Sequence, residues 1–166
     1  YTHSHADHTH GIDDLRTFNF INSMVIPCYG NELTINNLIN NFGYIFDGVH
    51  SVGGKPKLEL NVVETDFRID EIDIIPVEIS HDRWKILGYR IGNFAYLTDC
   101  SGISSESMDK LNGLDLLIIG ALRYREHPAQ FNIDQAVEKA LDLNPKLTVF
   151  THMGHEVDYD TLLNEL

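Results

Sequence analysis

Apolar and polar positions change period several times along this chain, and each change predicts an element. Residues 24–30, Met-Val-Ile-Pro-Cys-Tyr-Gly, form a short apolar run that predicts a strand, and Pro27 suggests an edge because proline brings no N–H to a neighbour. From Asn31 the pattern turns helical: Leu33, Ile35, Leu38, Ile39, Phe42 and Ile45 recur at helical spacing, so Leu38, Ile39 and Phe42 are expected to face the core. Glycines and a proline between 48 and 57 predict a loop that includes His50, read as a loop or surface residue. Alternation returns at 58–63, 67–69 and 72–79, predicting three strands, the last ending at Ser80-His81-Asp82. Residues 84–91 and 93–97 read as a hairpin about Gly92-Asn93, and its second strand ends at Thr98-Asp99.

The remaining third alternates helices with buried strands. Ser104 is placed to cap a short helix reaching Leu111, and 114–122 is a continuous apolar run of the kind found in strands covered on both faces. Asn132 can cap a helix over 133–143, with Pro145 beyond its end. A strand over 147–150 leads into Thr151-His152, and Asp158 starts a last helix over 159–166. Near the start, Gly11 to Arg16 reads as a turn entering a short helix, with Phe18, Phe20 and Ile21 expected to pack inward. Mixed strands and helices without a repeat or linker indicate one α/β domain, with two sheets inside and helices outside.

Candidate chemistry begins at the first residues, Thr2-His3-Ser4-His5-Ala6-Asp7-His8-Thr9-His10-Gly11. Neutral imidazoles and a carboxylate are donors that first-row divalent ions take. In an extended strand end followed by a tight turn, His3 and His5 point the same way and Asp7 and His8 fall on the turn, so one segment can serve two adjacent ions. A solvated or tag-like tract is the plain alternative, but tags are runs of histidine without interleaved Ser, Ala and Asp. His81, Asp99 and His152 each follow a predicted strand, where a side chain projects from a sheet edge. Taken singly, His81 and His152 read equally well as core histidines with a satisfied partner, and Asp99 as a cap of the turn at Gly102.

The His-x-His-x-Asp-His segment followed by Gly11-Ile12-Asp13-Asp14-Leu15-Arg16, with Leu122-Arg123-Tyr124-Arg125 and Thr151-His152-Met153-Gly154-His155-Glu156, resembles the metallo-β-lactamase superfamily. Within it the chain is similar to the branch that contains the phosphoribosyl cyclic phosphate phosphodiesterase of phosphonate breakdown. The resemblance implies the αββα sandwich, two mixed sheets flanked by helices. That fold's first strands are expected before Tyr1, and the chain is expected to be part of a longer one. It implies one metal on His3, His5 and His81, a second on Asp7, His8 and His152, and Asp99 bridging them. Asp7 counts among both the catalytic and the metal residues. Zinc or manganese is the expected ion, with iron compatible, because no thiolate is in the set. The implied activity is hydrolysis of small or cyclic phosphodiesters by a hydroxide bridging the two ions.

Relatives commonly carry histidine, the proposed general acid, where this chain has Gln130. Glutamine donates hydrogen bonds but supplies no proton at neutral pH, so His127 is the candidate acid, with a plain loop residue as the alternative. Arg123, Arg125 and Gln130 are expected at the substrate, guanidinium groups being suited to phosphate oxygens; surface ion pairing is the alternative for the arginines. His155 matches a ligand of an additional structural zinc in some relatives and is left without a role. A thioester or lactam hydrolase uses the same nucleophile and is the second reading. A metal-binding protein without catalytic activity is the third.

Composition narrows the partners. Asp+Glu number 25 against Lys+Arg 12, a net charge of −13 that repels long polyanions. A tRNA 3′-processing nuclease belongs to the same superfamily, but no basic arm is present here. Two divalent cations reverse the potential locally, so a small phosphate ester remains compatible. Apolar content of 43% and charged content of 22% are those of a globular chain. Cys28 and Cys100 suggest no disulfide framework, and a reducing, cytoplasmic setting is expected. No apolar run reaches the ~20 residues that span a bilayer. The expected partner is a small phosphate ester, with no membrane and no extended nucleic acid; a homodimer is among the assemblies the sequence leaves open.

Overall fold

The computed structural model describes residues 1–165, and its backbone forms two compact units, Tyr1–Glu64 and a second from Thr65 onward. In the first unit, residues 1–5 have no strand pairing among the described residues; His5 is extended at φ −63°, ψ 155°, and caps helix α1, Ala6–Thr9. Thr9 Oγ1 and the His8 N–H both donate to the His5 carbonyl, at 2.9 and 3.1 Å, which winds this segment into a helical turn. Asp7 and His8 therefore sit on a short helix and not on the tight turn that the pattern suggested.

A 3₁₀ segment, His10–Asp14, leads to α2, Leu15–Asn22. Inward packing of Phe18, Phe20 and Ile21 is not observed: they are 54%, 87% and 68% exposed. The 3.6-residue period explains the difference. Leu15 and Asn19 lie four apart on the inner face, which turns 18, 20 and 21 outward. Asn19 is buried, donating from Nδ2 to the Met24 and Lys57 carbonyls and accepting the Lys57 N–H, so an amide holds the place given to apolar side chains.

Strand β1, Ile26–Gly30, pairs in parallel with β2, Leu58–Val62, as a two-stranded sheet in which Pro27 lies at an edge. Between them run α3, Glu32–Asn41, and α4, Gly43–Phe46. Asn31 Oδ1 caps α3 by accepting the Thr34 N–H at 2.9 Å. Ile12, Ile35, Leu38 and Ile45 form the core of this unit, with Phe42 packed against it. Ile39, expected inside, is 41% exposed because the inner stripe runs through Ile35 and Leu38. His50 is exposed in its loop.

The second unit is built on one sheet. Its strands are β3 (Phe67–Ile69), β4 (Ile72–His81), β5 (Trp84–Ile91), β6 (Phe94–Leu97), β7 (Gly102–Ile103), β8 (Leu116–Gly120) and β9 (Leu147–Thr151). The order is β3-β4-β5-β6-β8-β9, with β7 also paired to β4. Pairs β4–β5 and β5–β6 are antiparallel, while β6–β8 and β8–β9 are parallel. It follows that β4, β6, β8 and β9 all run the same way and end on the same edge. The apolar stretch at β8 reads as it does because Leu117 and Ile119 are fully buried in a core shared with Val77, Ile79, Ile86 and Leu97.

Helix α5, Ser105–Asp109, starts at Ser104, whose hydroxyl accepts the Ser107 N–H. Helix α6, Ile133–Leu143, has a full capping box: Asn132 Oδ1 accepts from the Gln135 N–H and Gln135 Oε1 accepts from the Asn132 N–H. The last helix, α7, is Tyr159–Glu165; its expected final residue, Leu166, lies outside the described residues. No helix among the described residues is long and apolar enough to cross a membrane.

Candidate metal centre

In the first unit the ligand-type side chains crowd together. His3 is buried, its Nε2 lies 3.0 Å from Nδ1 of His5, and its Nδ1 meets Thr2 Oγ1 at 3.1 Å. The His3 and His8 rings are 4.3 Å apart between centroids, and Asp7 Oδ2 lies 3.3 Å from His8 Nε2. Four residues of one short segment thus turn nitrogen and carboxylate donors toward each other.

In the second unit the strand ends do the same. His81 closes β4, Asp99 follows β6 and His152 follows β9. Asp99 and His152 both adopt left-handed backbone, φ 54° and 58°, which side chains other than glycine adopt at a cost and which clusters where a side chain must be aimed. Gly120, at the end of β8, makes room for this. A Cβ there would lie 3.2 Å from the Asp99 amide nitrogen. The buried Asp99 carboxylate lies between two imidazoles, with Oδ1 3.2 Å from His152 Nε2 and Oδ2 3.9 Å from His81 Nε2.

The second ring nitrogen of His81 fixes its tautomer. Nδ1 lies 2.8 Å from the Ala129 carbonyl, which can only accept, so Nδ1 carries a proton and, in the neutral ring, Nε2 is the nitrogen with the lone pair. Each oxygen of Asp99 also accepts one hydrogen bond, Oδ1 from Thr98 Oγ1 at 2.8 Å and Oδ2 from Gln130 Nε2 at 3.1 Å. This donor chemistry fits divalent ions: an imidazole presented through the nitrogen opposite a carbonyl, and a carboxylate with both oxygens directed, are how such ligands are held. Cys100, next to Asp99, turns into the core, where burial pushes its thiol up to about 12 and takes it out of the donor set.

The other expected site residues fall as follows. Gln130 reaches Asp99, a contact the sequence did not signal because the two are 31 positions apart. His127 Nδ1 accepts the Ala129 N–H at 3.2 Å, which puts the ring proton on Nε2 in this arrangement. Arg125 donates to Glu156 Oε1 at 2.6 Å, and a guanidinium nitrogen of Arg123 lies 4.0 Å from the same oxygen. That pairing, Arg125 above all, holds the Glu156 carboxyl below its ordinary range. His155 is exposed. Ala129 and Thr98, in contact with the candidate ligands His81 and Asp99, were not singled out from the sequence. A carbonyl leaves no trace in residue type, whereas a hydroxyl just before Asp99 was a readable signal.

Residues 1–153 match the family model of the beta-lactamase superfamily domain. The chain belongs to the metallo-β-lactamase superfamily. Among solved structures, this metallo-β-lactamase chain is similar to a diphosphatase from the PhnP family, at 38% identity and a TM-score of 0.91 over its whole length, covering 63% of that protein. The metallo-β-lactamase fold protein YhfI of Bacillus subtilis, at 18% identity and a TM-score of 0.74, and the short form of human tRNase Z, at 20% and 0.68, share the fold. Among curated proteins it is 34% identical over 157 residues to an octanoyltransferase of Porphyromonas gingivalis, strain ATCC BAA-308 / W83, and spans 31% of that protein. The mixed α/β architecture is that of the metallo-β-lactamase fold, in the branch of the PhnP relatives. Members of the superfamily are mostly metal-dependent hydrolases and usually bind divalent ions.

Proposed function

We propose that this chain carries the two-ion centre of a hydrolase acting on small or cyclic phosphodiesters. One ion is assigned to His3, His5 and His81, the other to Asp7, His8 and His152, with Asp99 shared. The observation that carries this reading is the Asp99 carboxylate, which directs one oxygen toward His81 and the other toward His152. Bound there, divalent ions contribute Lewis acidity and bring the pKa of water from 15.7 toward ~7. The seven side chains carry a formal −2 when the histidines are neutral, so a loaded centre retains positive charge for an anionic substrate inside an acidic chain. His127 delivers the proton to the leaving oxygen through Nε2. To end as a neutral ring it must first be protonated at Nδ1, which requires giving up the Ala129 contact. Arg123 and Arg125 are the cations offered to the phosphate, which displaces Glu156 from them.

Similarity to a diphosphatase at 38% identity supports a phosphorus substrate. Similarity to an octanoyltransferase supports a second reading, acyl-thioester chemistry on the same scaffold. The test is turnover of a chromogenic phosphodiester and of an octanoyl thioester, each with zinc or manganese and each with excess chelator. Chelator-sensitive release of the phosphodiester product is expected. Turnover of the thioester alone would replace the first reading by the second, and two bound ions without turnover of either would leave a metal-binding protein.

A further inference from the structure

The loop from His127 to Phe131 contacts two ligand residues on different strands, and the two-ion reading above gives those contacts a purpose. His127 and Gln130 face each other in an isolated β-bridge, which closes the loop into a tight clip. The clip is tied down at its far end, where the Phe131 N–H donates to the Cys100 carbonyl and the Leu122 N–H donates to the Phe131 carbonyl. From it, the Ala129 carbonyl accepts a hydrogen bond from His81 Nδ1–H at 2.8 Å, and Gln130 Nε2 donates to Asp99 Oδ2 at 3.1 Å. Gln130 Oε1 is buried and without a hydrogen-bond partner, so the amide is held by its one bond to Asp99 and not by a network of its own.

We propose that Gln130 is a positioning residue for the metal centre. With Ala129 it forms a clip that fixes the His81 tautomer and the orientation of Asp99 together. The clip governs metal affinity. Its chemistry is that of an outer partner: a neutral N–H donor on a carboxylate oxygen leaves that oxygen's second lone pair directed and its charge intact, which a protonated or anionic side chain at 130 would not do. Thr98, the residue just before it, does the same for the other oxygen, so Asp99 is held from two sides.

The test is zinc affinity of the full chain, measured with zinc alone against a competing chelator, for Gln130→Met, which keeps length and removes the donor. The urea midpoint of the metal-free protein is measured beside it. A loss of 10–100-fold in affinity is expected, with the metal-free midpoint unchanged. Thr98→Val, which removes the donor on Oδ1, is the second variant and is expected to lose affinity likewise. Affinity within twofold of wild type in Gln130→Met would overturn the proposal, whatever Thr98→Val does. A fall in affinity matched by a fall in the metal-free midpoint would also overturn it, in favour of a purely structural amide. Failure of the unaltered chain to bind zinc would instead remove the two-ion reading, so the two failures are told apart.

Discussion

At the scale of single residues, His127 gives the sharpest prediction. An acid matters in proportion to how poor the leaving group is, since a stable phenolate departs without a proton. His127→Ala should therefore lower turnover of an alkyl phosphodiester by about 10²–10⁴-fold and leave a 4-nitrophenyl diester nearly untouched. Parallel rates on the two substrates check it, and equal losses on both would assign the ring to folding of the loop. The candidate ligands were the most legible part of the sequence, because His-x-His-x-Asp-His is dense in donors and His81, Asp99 and His152 stand at strand ends. Gln130 was visible only as a departure from its relatives. Its bond to Asp99 spans 31 positions and depends on how a loop folds back, which no local period encodes.

Among the elements, helix α6 was read to the residue, since a capping box is local chemistry written in four consecutive positions. Asn132→Ala removes the side-chain acceptor for the Gln135 N–H and should cost about 0.5–2 kcal/mol, read from the urea midpoint with activity at low denaturant unchanged. Because α6 packs on the core through Ile133 and Ala136, the loss is expected to be global and not local fraying. Helix α2 shows the opposite case. Phe18, Phe20 and Ile21 are apolar, but residue type does not say which side of a helix faces inward, and Asn19 with its three hydrogen bonds occupies that side. Strands β2 to β6 were read to within two residues, whereas β7, Gly102–Ile103, was not predicted. Pairing order was not legible, because β8 inserts beside β6 only through a long-range crossover.

For the whole molecule, two electrostatic effects oppose one another as pH falls. The net charge of −13 declines toward a pI near 4.9, which relieves self-repulsion. Against that, the hydrogen bond from Lys146 lowers the Asp115 carboxyl and the one from Lys55 lowers Asp47. A carboxyl depressed in the folded state contributes stability above its ordinary value, lost as pH falls through the folded value. The metal-free urea midpoint should hold or rise between pH 7 and about 5 and then fall below about 4. Asp115→Asn should lower the midpoint at pH 7, and the gap to wild type should close as pH falls below the ordinary carboxylate range. A gap that persists in acid would mean the residue acts through packing instead.

Four of the strands in the Thr65 unit point the same way, and His81, Asp99 and His152 follow three of them while the Gln130 loop lies beyond the fourth. The candidate site residues of that unit thus hang from one rim, and core residues such as Leu117 and Ile119 lie behind it. The division leaves the chemistry free to be rewritten by exchanging short connections: a new reaction can be grafted at the rim while the frame beneath stays as it is.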